Sequence, residues 1–223
     1  MENYYTGDWK NNQREGQGIM QFNDGDYYSG DWKNNQREGK GKIQFNNGDY
    51  YKGDWRNDEM EGQGEMKFTN GDFYDGDWKN NQREGKGKII YQNKDYYKGD
   101  WKNDKIEGIG EMKFSNGDFY DGEWKDNQRE GVGRMIYKNM DFYGGDWRNN
   151  QREGKGKMQF NNGDYYKGDW RNDEIEGIGE MLYNNRDFYE GCWENGEKNG
   201  FGIIRRANGT YFQGYWKDDS PVE

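Results

Sequence analysis

Large apolar and polar residues alternate along the chain in short runs, and the runs return at one spacing. In Tyr5-Thr6-Gly7-Asp8-Trp9 the side chains of Tyr5, Gly7 and Trp9 point to one face of an extended strand, and those of Thr6 and Asp8 to the other. Gly16, Gly18, Met20 and Phe22 repeat the alternation, so a second strand with the same two-sided character follows. Tryptophan marks the phase: Trp9, Trp32, Trp55, Trp78, Trp101, Trp124, Trp147, Trp170, Trp193 and Trp216 stand 23 residues apart without an insertion. The period predicts an all-β chain, an elongated single-layer antiparallel β-sheet built as a meander of about ten hairpins in a twisted, curved ribbon. Twenty strands at about 4.8 Å would extend on the order of 90–95 Å.

Glycine inside a strand weakens it unless another group must come close. Here a Gly precedes each Trp by two positions, as Gly7 precedes Trp9, and a pair such as Gly39 and Gly41 follows in the next strand. The expectation is that flat rings lie across glycine backbone of the neighbouring strand, which buries aromatic area without a second layer. Asn-Gly and Asp-Gly, as in Asn47-Gly48-Asp49, are the strongest tight-hairpin signal, whereas Lys33-Asn34-Asn35-Gln36-Arg37-Glu38 and its equivalents read as a polar loop. The repeat array is expected over residues 4–219, with a C-terminal tail at 220–223.

Composition changes the picture in one respect. With 29% hydrophobic residues and 36 glycines the chain would read as disordered, but 18% of it is aromatic, and each ring buries roughly 150–250 Å². No apolar run is long enough to span a bilayer, and the N-terminus lacks a basic then apolar leader, so the expected setting is intracellular and soluble. The formal charge of -10 favours basic partners over nucleic acid or a membrane surface.

The residues carry no enzymatic constellation. There is no His, which removes the commonest general base and metal ligand. The lone Cys192 stands where Asp usually precedes Trp, without a basic group to activate it. Gly39-Lys40-Gly41 lacks the strand-to-helix setting of a phosphate loop, and Asn23-Asp24-Gly25-Asp26 lacks the closing Glu of an EF-hand. No catalytic residue, cofactor or metal is expected.

The polar face holds the candidate partner-binding residues. The Asn-Gly turn fails at Lys94, Met140 and Arg186, and four residues before each stands Ile90, Ile136 or Leu182, apolar where other units are polar. Duplication of a two-repeat ancestor accounts for that spacing but not for the apolar character, which an elongated partner could read. Ile109, Val132, Ile178 and Phe201 extend the patch. Charge alternates in sign from unit to unit, which suggests opposite charges facing one another across neighbouring strands. Met60, Ile106 and Ile175 replace Arg or Lys in the polar loops and read as isolated apolar tips. Uncapped outer strands leave room for edge-to-edge self-association.

Tyr51-Lys52-Gly53-Asp54-Trp55 followed by Glu61-Gly62-Gln63-Gly64 resembles the MORN repeat, and the likeness recurs ten times in phase over about residues 4 to 219. Two loop positions depart from the family pattern: Asn or Asp replaces its Gly after Trp except at Gly196, and Glu or Asn199 replaces its common His. The resemblance implies a non-catalytic scaffold that organises other proteins of a multi-subunit assembly, in the cytoplasm or cytoskeleton, with a radial-spoke-like place in the ciliary axoneme as the first expectation. The alternative is a membrane-surface adaptor for acidic phospholipids, against which Arg205-Arg206 is the only adjacent basic pair.

Overall fold

The computed structural model describes residues 2–222, so Glu223, the last position of the expected tail, lies outside them. No helix occurs among the described residues, and hence none that is long and apolar enough to cross a membrane. The strands fall into two compact units. The first, up to Ser115, contains β1 (Tyr4–Lys10), β2 (Gln13–Gln21), β3 (Tyr27–Lys33), β4 (Gln36–Gln44), β5 (Tyr50–Arg56), β6 (Glu59–Lys67), β7 (Phe73–Lys79), β8 (Gln82–Ile90), β9 (Tyr96–Lys102) and β10 (Lys105–Lys113). The second, from Asn116, contains β11 (Phe119–Lys125), β12 (Gln128–Ile136), β13 (Phe142–Arg148), β14 (Gln151–Gln159), β15 (Tyr165–Arg171), β16 (Glu174–Leu182), β17 (Phe188–Glu194), β18 (Glu197–Arg205), β19 (Tyr211–Lys217) and β20 (Ser220–Pro221). Within each unit every strand pairs antiparallel with the next in the chain, so each is an open meander and not a barrel.

The expected interleaving of rings and glycines is what holds the meander together. Tyr28 is fully buried although no second layer covers it. Its ring lies over the backbone of Gly30 and Gly41, where an added Cβ on Gly30 would come within 2.5 Å of both the Gly41 Cα and the Tyr28 hydroxyl. The hydroxyl donates to the Asp31 carbonyl at 3.0 Å, so burial leaves no polar atom unpaired. Burial also holds the Tyr28 phenol well above its usual pKa. Trp32 and Trp55 then meet the ring edge-on from the two sides, with centroids 5.2 and 5.3 Å away. Such pairs contribute about 0.5–1.5 kcal/mol each beyond the area they bury, and the same arrangement recurs around Tyr51, Tyr143 and Tyr166.

A third component covers the tryptophans. The Arg37 guanidinium stands 4.2 Å from the Trp55 ring, and Arg14, Arg83, Arg129 and Arg152 do the same over Trp32, Trp101, Trp147 and Trp170. Met60, Ile106 and Ile175 occupy the equivalent positions and are buried, not exposed loop tips. The reason is the hairpin geometry: these residues are already in the strand, and their side chains point to the aromatic face. A subtler difference follows from the partner of each Arg. Where it pairs with an Asp, as Arg37 with Asp58, Arg83 with Asp104 and Arg152 with Asp173, the underlying indole N–H of Trp55, Trp101 or Trp170 has no acceptor. Where Asn replaces that Asp, Arg14 and Arg129 keep the bond to its backbone carbonyl but lose the carboxylate, and the indoles of Trp32 and Trp147 donate to the Gly18 and Gly133 carbonyls.

The two kinds of turn are the reverse of the expectation. Asn34-Asn35 joins β3 to β4 directly, with φ of 49° and 69°, so the supposed polar loop is a two-residue turn of the type I′ kind. Asn tolerates the left-handed region, which is why it serves here without glycine. The Asn-Gly connections are longer: Phe45 donates to the Asp49 carbonyl, and Gly48, at φ 92°, donates to the Phe45 carbonyl, both at 2.9 Å.

Each turn is tied to the turn of the following repeat. At one edge the Glu38 carboxylate accepts from the Asn57 N–H, and Glu15, Glu61 and Glu153 act likewise. At the other, the carboxylate of Asp49 accepts from the Thr69 N–H at 2.8 Å. Burial raises the Asp49 pKa, but hydrogen bonds from Thr69 and Asn47 outweigh it and hold the carboxyl below its usual value. The first and last tryptophans differ. Trp9 in β1 is 59% exposed, whereas Trp216 is 4% exposed, and β19 is followed by β20, in which Ser220 and Pro221 pair with Lys217 and Trp216.

Candidate partner-binding face

With the aromatic side occupied by its own packing, the opposite side of each unit presents three rows of side chains. The outermost row, beside the Asn-Gly turns, contains Ile90, Ile136 and Leu182. Each lies between two aromatic residues of the adjoining strands: Ile90 between Phe73 and Tyr96, Ile136 between Phe119 and Phe142, and Leu182 between Tyr165 and Phe188. Ile90 is half-buried, while Ile136 and Leu182 are exposed. The flanking rings were missed by the sequence reading, although the signal was there. In doublets such as Phe73-Tyr74 the second ring enters the glycine slot, so the first must face the other way.

Lys94, Met140 and Arg186 sit not in this row but at the turns beside it, with φ of 73°, 72° and 71°. Their N–H groups make the same bond to the carbonyl three residues back that the turn glycines make. Met140 is 74% exposed, so a side chain with an ordinary preference against this conformation is held out in solvent. Ile109, Val132, Ile178 and Phe201 form part of the third row, each exposed, directly after the first glycine of the pair.

That glycine is a β-bulge, with φ of 60° to 66° from Gly16 to Gly177, and the Asp before Trp stabilises it. Asp169 accepts from the Ile178 N–H at 3.0 Å and pairs with Lys155. Burial raises the Asp169 pKa, but the bonds from Lys155 and Ile178 outweigh it, and the carboxyl stays below its usual value. Cys192 offers no such acceptor to Phe201, and Gly200 opens to φ 94°. The sequence reading of Cys192 as an inert replacement passed over this lost bond.

The middle row carries charge, and its pattern corrects a simple alternation. Across a hairpin opposite charges do face one another, as Lys52 and Glu65 do. Across the next interface like charges face: Lys42 opposite Lys52 and Glu65 opposite Asp75 in the first unit, Lys157 opposite Lys167 and Glu180 opposite Glu190 in the second. Directly opposed like charges are unfavourable. Between the middle and third rows, above glycine backbone, runs a groove of about 510 Å³ in the first unit and about 770 Å³ in the second. Among the described residues no cluster of His, Cys, Asp and Glu could hold a metal ion.

The regularity of these units has a counterpart among known families. A family model described as MORN repeat matches residues 5–27, 28–50, 51–73, 74–96, 97–119, 120–139, 143–165, 166–188 and 189–211. The chain belongs to the MORN repeat family. Nine repeats are matched, and the strand bearing Trp216, counted from the sequence as a tenth, lies beyond the last. Among solved structures, this MORN array is similar to the TCP10 domain of Danio rerio CPAP in complex with a peptide of Danio rerio STIL. Identity is 10%, coverage is 96% of this chain and 100% of that chain, and the TM-score is 0.54. The TCP10 domain of Danio rerio CPAP alone gives 8% identity, coverage of 79% and 83%, and a TM-score of 0.46. The first likeness is one of fold. No curated protein matches the array by sequence.

Proposed function

We propose that this MORN array is a non-catalytic scaffold that holds partner proteins on the face opposite its aromatic ladder, within a large assembly of the ciliary axoneme or cytoskeleton in a radial-spoke-like role. The observation that carries the reading is the division of labour between the two faces. Tyr, Trp, Gly and Arg on one side account for the packing, while the other side exposes Ile136, Leu182, Val132, Ile178 and Phe201 and sets like charges against one another at a cost in stability. Side chains that lie outside the aromatic packing and remain apolar on an exposed face are suited to a protein partner. The TCP10 domain, whose fold is similar, is found with a bound STIL peptide, which supports the same use of an open sheet.

Ile90, Ile136 and Leu182 are the central contacts in this reading, with the turn residues Lys94, Met140 and Arg186 beside them. Affinity purification of the tagged chain from ciliated cells, followed by mass spectrometry, is expected to recover axonemal or cytoskeletal proteins. The combined change Ile90→Lys, Ile136→Lys and Leu182→Lys should abolish that recovery without altering the β-sheet circular dichroism spectrum. The competing role, an adaptor for acidic phospholipids, is disfavoured by the pairing of Arg205 with Glu190 at 3.0 Å. Sedimentation with phosphoinositide vesicles at physiological salt, without any protein partner recovered, would reverse the choice.

A further inference from the structure

The grooves of the two units are built to one charge plan, and only one of them has an apolar end. Lys42, Lys52, Glu65 and Asp75 of the first unit return five repeats later as Lys157, Lys167, Glu180 and Glu190 of the second. In both, two lysines face each other and two carboxylates face each other at the next interface between hairpins. Lys157, Lys167 and Glu180 are exposed and form no ion pair among the described residues, although Lys167 and Glu180 lie opposite each other across their hairpin. Beyond the carboxylates the units diverge: Gln63, Lys86 and Lys88 of the first unit correspond to Ile178, Phe201 and Ile203 of the second, all three of which line the larger groove.

We infer that the groove of the second unit binds an extended peptide of a partner protein that carries an acidic residue, then a basic residue, then a large apolar residue. The inference rests on the scaffold reading and specifies its ligand. Complementarity sets the order: the acidic residue meets Lys157 and Lys167, the basic residue meets Glu180, and the apolar residue covers Phe201 and Ile203. The groove runs across the strands, which sets the spacing. From β14, which carries Lys157, to β16, which carries Glu180, is about 10 Å, and from β16 to β18 about as much again. An extended chain advances about 3.3 Å per residue, so the three residues stand roughly three positions apart, and the whole motif covers six or seven residues. Backbone glycine along the floor lets the peptide approach closely, as Gly168, Gly179 and Gly191 offer no side chain on either face.

A displayed library of random eight-residue peptides, panned on the full chain, tests this. Enriched peptides should share the acidic, basic, apolar order in one chain direction. Panning on Lys157→Glu, Lys167→Glu, Glu180→Lys should invert the first two positions to basic then acidic. In Ile178→Gln, Phe201→Lys, Ile203→Lys the apolar preference should vanish and affinity for the first set should fall at least tenfold. That variant carries residues the first unit already holds at the same positions, so loss of fold is not an explanation. Absence of enrichment, or an order unchanged by the charge inversion, overturns the inference, as does binding of anionic phospholipid vesicles in place of peptides. If both variants still recover the cellular partners while the Ile90, Ile136 and Leu182 set does not, the groove assignment falls and the scaffold reading stands.

Discussion

The two units use the same device on one face and different residues on the other. In both, tyrosines fill slots over paired glycines and meet tryptophans edge-on, at centroid distances of 5.3 Å for Tyr51 and Trp55 and 5.5 Å for Tyr166 and Trp170. On the opposite face the first unit lines its groove with Gln17, Lys40 and Gln63, and the second with Lys155, Ile178 and Phe201. Stability depends on the face that cannot vary, since any Cβ in a glycine slot would meet ring or backbone atoms. The other face is free to vary, because its side chains do not fill the glycine slots, and this suits it to the recognition role proposed for it.

The comparison breaks first at the glycine slots. Gly64→Ala and Gly179→Ala occupy equivalent places, and the added Cβ would collide with the rings of Tyr51 and Tyr166. Each should cost about 3 kcal/mol or more, read from urea unfolding, because the obstruction is a rigid ring and not a flexible tail. An appreciably smaller loss in one unit would show that its ladder is not the common support.

Alkaline pH should strike both units together. Burial is the chief cause that raises the pKa of Tyr28, Tyr51 and Tyr74 in the first and Tyr143, Tyr166 and Tyr189 in the second. A raised phenol pKa stabilises the fold fully below the usual phenol value of 10.0, and that contribution is lost progressively as pH climbs above it. Phenolate absorbance at 295 nm and loss of circular dichroism should therefore rise together above about pH 10. Ionisation of these tyrosines with the sheet intact would contradict the packing described.

A smaller effect separates the units at the bulge. Cys192→Asp should restore an acceptor for the Phe201 N–H and raise stability by about 1 kcal/mol, and Asp77→Cys, its counterpart in the first unit, should lower it by about as much. Thermal unfolding at neutral pH would register both. The smallest effect is expected from Ile178→Gln, Phe201→Lys, Ile203→Lys, less than about 1 kcal/mol, since Ile178 and Phe201 are exposed and Ile203 is only half-buried. A large loss would mean that the second groove has a packing role.

Much of this organisation was readable in the residues. The ten tryptophans fixed the period, strand parity separated the faces, and Gly7 or Gly41 pointed to rings crossing bare backbone. Two points were not readable. Asn34-Asn35 looked like loop because its polar neighbours Gln36 and Arg37 gave no hydrophobic sign that strand pairing had already begun. Met60, Ile106 and Ile175 looked exposed for the same reason, although the Arg they replace is itself packed over a ring. Of the candidate surface, Ile136, Leu182 and Ile178 lie where parity put them; the flanking rings Phe142 and Phe188 were readable from the doublets Phe142-Tyr143 and Phe188-Tyr189 but were not singled out.

The sequence by itself determined the repeat, the pairing order and the inward face, because local alternation and turn chemistry act over a few residues. Tertiary structure alone decided which charges confront one another and where the grooves lie. Lys157 and Lys167 are ten residues apart in the chain and become direct neighbours only when β14 and β15 pair in a register set by Gly156 and Gly168. Strand register converts separation along the chain into contact across it, and that conversion brings Ile178 of one hairpin and Phe201 of the next to a single groove.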